Sequence, residues 1–138
     1  MRALFDTNIV LDVLLAREPF AADSNACFVQ VEDGKLQGFL GAITVTTLDY
    51  LLSSALGSAA SRLHVGQLLE QFEVTPINRS VLSAALASKQ KDFEDAVLAE
   101  AARACGVENI ITRNAKDFVG CGLKVYTPHE WLASQMNL

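Results

Sequence analysis

Four aspartates, Asp6, Asp49, Asp95 and Asp117, occupy positions in this 138-residue chain that suit chemistry. Asp6 follows the apolar run Ala3-Leu4-Phe5 and precedes Thr7 and Asn8. Ligands of open parallel sheets bind beyond the carboxyl ends of strands, so a carboxylate there is a candidate for catalysis. Asp, Thr and Asn are also good helix starters, and for this segment alone capping and catalysis stand level. Asp49, read on a helix, shares a stripe with Val45, Leu52 and Leu56. A carboxylate on a core-facing stripe is costly unless paired or bound to metal; the alternative is a solvated position at a sheet edge. Asp95 shares a helical face with Leu98, Ala99 and Ala102, and Asp92 lies one turn earlier. Acids at a helix start gain from the macrodipole, which accounts for Asp92 and Glu94 better than for Asp95. The last cluster, Thr112, Arg113, Asn114, Lys116 and Asp117, follows another apolar run; capping of a short turn by Asn114 or Asp117 is the competing account.

Taken together, these segments present acids from separate strand ends, or from the helices that follow them, toward one sheet edge. Hard oxygen donors of that kind suit Mg²⁺ or Mn²⁺. Other chemistries lack their residues: there is no nucleophile elbow and no Gly-rich phosphate loop. His64 and His129 have no cysteine or second histidine at ligand spacing and read as structural. Cys27, Cys105 and Cys121 are odd in number, without C-x-x-C spacing, so they read as free thiols of a reducing compartment.

The elements that must position these acids follow from periodicity. Apolar runs at residues 3–5, 38–43, 74–77, 109–112 and 123–126 predict five strands. Between them, residues 8–15, 20–32, 44–56, 59–72, 79–87 and 93–105 carry helical spacing, with stops at Asp33-Gly34, Gly57-Ser58 and Gly106. Thr127-Pro128-His129-Glu130 predicts a final helix start, with threonine as N-cap, proline first and glutamate third. Alternating strands and helices predict an α/β fold, a three-layer α/β/α sandwich on a mainly parallel sheet of about five strands, as one domain over residues 1–138. The longest apolar stretch, residues 39–56, is broken by Asp49 and its threonines and is too polar to span a bilayer. No export signal is visible at the start, and a cytoplasmic location is expected. A net charge of −5 argues against a nucleic-acid partner, unless the acids bind cations that invert the local charge.

Four segments in order, FDTNIVLD at 5–12, TTLDYLL at 46–52, DFEDAVLAEAA at 92–102 and ITRNAKDF at 111–118, resemble the motifs of PIN domains. The resemblance is greatest to the branch that includes VapC-type toxins of bacterial toxin–antitoxin pairs, and it covers nearly the whole chain. It implies a Mg²⁺- or Mn²⁺-dependent endoribonuclease acting on RNA, with an antitoxin partner. By position, Asp6, Asp49, Asp95 and Asp117 would be the catalytic metal ligands. Thr7, Asn8, Thr112 and Asn114 would be polar supporters, with Asp92 beside them. Aspartate at 49 is one methylene shorter than the usual glutamate, so its metal contact would run through water. Asn114 stands where many members carry an acid, which leaves the fourth acid to Asp117 or to none. Lys89, Lys91, Arg113 and Lys116 flank the motifs as RNA phosphate contacts or as solvated charges; for Arg17 the solvated reading is preferred.

Two other functions compete. A PIN fold with a weakened site would bind RNA or protein without cleaving, and the residues at 49 and 114 keep that reading open. A haloacid-dehalogenase-like phosphotransferase also opens on an aspartate after its first strand, but its second acid would fall at Asn8. Apolar surface along residues 45–56 and 63–69 exceeds what one small sheet can cover and predicts a homodimer.

Overall fold

A computed structural model describes residues 1–136. Strand β1 (Arg2–Phe5) leads into α1 (Thr7–Leu14) and α2 (Ala21–Glu32). Then come β2 (Gln37–Gly41), α3 (Ala42–Leu56), α4 (Ser58–Gln71), β3 (Glu73–Thr75), α5 (Arg79–Ala87) and α6 (Phe93–Ala104). Strand β4 (Asn109–Ile111), a short 3₁₀ turn (Ala115–Phe118), β5 (Lys124–Tyr126) and α7 (Pro128–Met136) complete the described residues. The five strands pair in the order β3-β2-β1-β4-β5, every neighbour parallel. The three-layer α/β/α fold with a parallel sheet is as expected.

Period-two alternation divides the core between the sheet's faces. Ala3, Phe5, Leu40 and Ile111 pack with residues of α1 to α4 and with Trp131 of α7. Phe5, Phe28 and Phe72 form an aromatic triangle there, with ring centroids 5.2–5.6 Å apart. Leu4, Phe39 and Ile110 face the other way, onto Leu98, Ala99 and Ala102 of α6. A side chain on Gly41 would collide with Leu98, so glycine lets α6 lie close over the end of β2. There the strand ends and α3 begins, two residues before the expected start at 44.

Order 3-2-1-4-5 places the reversal of strand order between β1 and β4, where open α/β sheets form their binding crevice. Asp6 and Thr112 are the first residues past these two strands, and Asp6 N–H donates to the Ile111 carbonyl (3.0 Å). No helix among the described residues is long and apolar enough to cross a membrane. The dimer expectation meets a mixed surface: Leu48, Leu52 and Leu68 are buried, whereas Tyr50, Leu56, Leu63 and Leu69 are exposed.

Candidate active site

Asp6 is both a cap and the centre of the crevice. It N-caps α1, accepting from Thr7 N–H (2.8 Å), and its Oδ2 accepts from Thr112 Oγ1 (2.7 Å) and Asn8 Nδ2 (3.4 Å). Asn114 N–H donates to Thr112 Oγ1 (3.0 Å), which aims that hydroxyl's own proton at Asp6. Burial pushes Asp6 above the ordinary carboxylate range, and the Asp117 charge adds to this, while Thr112, Thr7 and Arg113 pull it down. The capping reading of this segment is thus borne out, at a residue that also stands at the crevice between β1 and β4.

Asp95 sits on the first turn of α6, half-buried, with Leu98, Ala99 and Ala102 of its face packed on the sheet as expected. Asp92 is the N-cap, accepting from Asp95 N–H (2.9 Å). Burial is the first cause that pushes the Asp95 carboxyl up to about 6; the charges of Asp92, Asp6, Asp117 and Glu94 follow. Asp117, on the 3₁₀ turn, acts on Asp6 and Asp95 alike. Asp6, Asp95 and Asp117 thus share one electrostatic field.

Asp49 faces another neighbour. Its Oδ1 accepts from Ser61 Oγ (2.8 Å) and lies 3.7 Å from Arg62 Nε, both on α4. The stripe it was read on is half right: Leu52 is buried and Leu56 is 44% exposed. Among the described residues, no three Asp, Glu, His or Cys side chains stand close enough together to hold an ion as placed. The acids share a field without forming a closed cage.

Lys89, Gln90, Lys91, Asp92, Asp95 and Lys116 line a depression of about 410 Å³ that Asp117 completes. Three of the four basic candidates therefore rim the acids. Gln90 Nε2 donates to the Asp117 carbonyl (3.5 Å), while Gln90 Oε1 is buried without a donor. A surplus of hard oxygen donors, burial and neighbouring charges that hold Asp95 up, and the orphaned Gln90 Oε1 fit a hydrated divalent cation. Asp6, Asp95 and Asp117 are the carboxylates here that would hold such an ion, whereas Asp49 is engaged by Ser61 and Arg62.

Arg113, the fourth basic candidate, is anchored. Asp12 is fully buried and accepts from Arg113 Nε (2.8 Å), a second Arg113 nitrogen (3.3 Å), Arg17 Nε (3.1 Å) and Ser24 Oγ (3.4 Å). Arg17 also donates to the Asn8 carbonyl (3.3 Å). It is an ion-pair partner of a buried acid rather than a solvated charge. Sequence reading passed over Asp12 because it sits among Ile9, Val10 and Leu11 of the same buried helix. The available signal was a carboxylate in an apolar helix with an arginine five residues on. His129 pairs with Asp23 (3.8 Å), and the three cysteines are free, with burial pushing Cys27 up to about 12.

The PIN domain family model matches residues 2–116. Among solved structures, the chain is similar to a toxin–antitoxin complex from Klebsiella pneumoniae, at 26% identity over 93% of this chain and 98% of that one, with TM-score 0.70. It shares the fold of VapBC2 from Rickettsia felis, bound there to a promoter DNA fragment (15% identity, 91% and 97% covered, TM-score 0.69). It shares that of VapBC-1 from nontypeable Haemophilus influenzae as well (17% identity, 94% and 99% covered, TM-score 0.68). No curated protein matches the chain. With 115 consecutive residues matched and the acid-lined crevice at its sheet switch, the chain belongs to the PIN domain family.

Proposed function

We propose that this protein is a Mg²⁺- or Mn²⁺-dependent endoribonuclease and the toxin of a toxin–antitoxin pair, working in the cytoplasm as a homodimer. The carrying observation is that Asp6, Asp95 and Asp117, from three separate elements, share one field at the sheet switch. Similarity to a toxin–antitoxin complex over almost the whole chain supports the partner. When bound, a divalent cation supplies an activated water and a counter-charge for the scissile phosphate. Asp6, fixed by three donors, and Asp95 would hold it. Asp95 must be ionised to do so, which ties metal affinity to pH above about 6. Lys89, Lys91 and Lys116 hold the RNA backbone over the depression, offsetting the net charge of −5 locally.

The test is cleavage of structured RNAs in Mn²⁺ and in EDTA, with Asp6→Asn as control. Metal-dependent cleavage lost in the variant is expected; equal cleavage by parent and variant would refute the reading. A second reading, an RNA- or protein-binding PIN fold without cleavage, is favoured by the engagement of Asp49 with Ser61 and Arg62. It predicts RNA or protein binding with no cleavage in any metal. The phosphotransferase reading has no second acid, since Asn8 is an amide donor to Asp6.

A further inference from the structure

One residue beyond Thr112 a second cavity opens, of about 240 Å³, between the start of α2 and the start of α7. Pro19, Phe20, Asp23, Arg113, Pro128 and His129 give it its character. The Arg113 guanidinium lies 3.8 Å from the centroid of the Phe20 ring. Buried Asp12 holds Arg113 through Nε and one terminal nitrogen, which leaves the other donors of the fork unspent. Phe20 and the His129 side chain are 39% and 82% exposed, so neither ring is committed to the core.

Size and charge narrow the occupant. The cavity is smaller than the roughly 300–1,000 Å³ of sites for drug-sized ligands, so it suits one planar heterocycle. Asp23 on its wall would repel a phosphate but accepts from the N–H edge of a base, while Arg113 donates to a base carbonyl. Proline and aromatic surfaces supply apolar faces for stacking. The site also adjoins the acids: Arg113 N–H donates to Asn8 Oδ1 (3.3 Å), Asn8 donates to Asp6, and the Arg113 charge reaches Asp6. We infer that the pocket between α2 and α7 receives one unstacked nucleobase of a single-stranded RNA whose backbone crosses the acid cluster. The assignment rests on the nuclease reading and adds to it the residues that select the substrate.

Binding is tested apart from cleavage with the full chain carrying Asp6→Asn. A single-stranded oligoribonucleotide with 2-aminopurine at one position is titrated with this protein, and the label is moved along the strand. Base fluorescence is expected to change strongly at one position only. Adding Phe20→Leu should weaken binding roughly fivefold or more. His129→Ala and Asp23→Asn, at exposed positions that put folding at little risk, should each weaken it by a smaller factor. In the active chain these changes should raise KM and leave kcat nearly unchanged. Binding within twofold of the parent for all three variants would overturn the inference, whether or not RNA is cleaved. Hydrogen exchange in residues 17–24 slowed by a protein partner but unaffected by RNA would overturn it too. Phe20-dependent binding in a protein that cleaves no RNA would uphold the pocket and remove the nuclease reading.

Discussion

Replacing Asp95 with asparagine separates a site built for a cation from an ordinary polar helix start. Burial and four neighbouring acids lift this carboxyl from 3.8 to about 6. At about 1.4 kcal/mol per unit, a shift of that size is worth about 3 kcal/mol. Asp95 is only half-buried, and solvent screening cuts the figure to about 1–2 kcal/mol. Because the folded value is raised, this stability is fully present below about pH 4 and is lost as pH rises through about 6. Asparagine never ionises, so Asp95→Asn regains it at pH 7.5. Against this stands the lost helix-dipole interaction, about 0.3–1 kcal/mol; the Asp92 cap on the Asp95 N–H survives the change. The net gain of up to about 1.7 kcal/mol should therefore let the variant melt above the parent in EDTA at pH 7.5, by up to roughly 5 °C, with the gap closing near pH 4. Excess Mn²⁺ should raise the parent's melting temperature by mass action and the variant's far less. Thermal melts in a grid of pH and metal make the measurement. A variant that melts below the parent in EDTA, with no Mn²⁺ effect on either protein, would refute both the electrostatic account and the metal site.

Asp12→Ala, which strands two arginines beside a void, should lower unfolding stability by about 3–5 kcal/mol in urea titrations. Thr112→Val removes the shortest hydrogen bond to Asp6, one that lowers its carboxyl, and should move the acid limb of the pH–rate profile upward. Asp49→Asn should slow metal-dependent cleavage by about 10–100-fold, as supporting groups do, and less than Asp6→Asn does in the same assay. Thr127→Ala breaks a reciprocal cap, in which Glu130 N–H donates to Thr127 Oγ1 and Thr127 N–H to Glu130 Oε1, and should cost about 1 kcal/mol by calorimetry.

Features with local causes were legible in the sequence. Helix α5 runs from Arg79 to Ala87 as expected, because Asn78 caps it by accepting from Val81 N–H and Ser88 ends it. Gly34, Gly57 and Gly106 adopt positive φ just past helix ends, as their place in the sequence predicts. Asp95 stands out because its neighbours Leu98, Ala99 and Ala102 belong to the core, and in the structure the charges of Asp92, Asp6, Asp117 and Glu94 all act on it. The short turn expected after β4 is the 3₁₀ turn at Ala115–Phe118, but no side chain caps it, and four residues carry no period that would give its type. Asp12 and Asp49 show the deeper limit. Each takes its role from a partner that periodicity cannot reach: Arg113, 101 residues away, and Ser61, on the next helix. Spacing tells which face of a helix a carboxylate occupies, and not what waits across from it.

The Asp12–Arg113 pair also orders events in time. A ribosome adding about 5–20 residues per second needs roughly 5–20 seconds to travel from one partner to the other. Throughout that interval the nascent chain carries Asp12 with only Arg17 and Ser24 to meet it, and Asp6 without Thr112. Strand β4, which seats both missing groups, emerges only after α6. The acid-lined edge therefore closes near the end of synthesis, and a prematurely terminated chain lacking residues past 108 cannot assemble it.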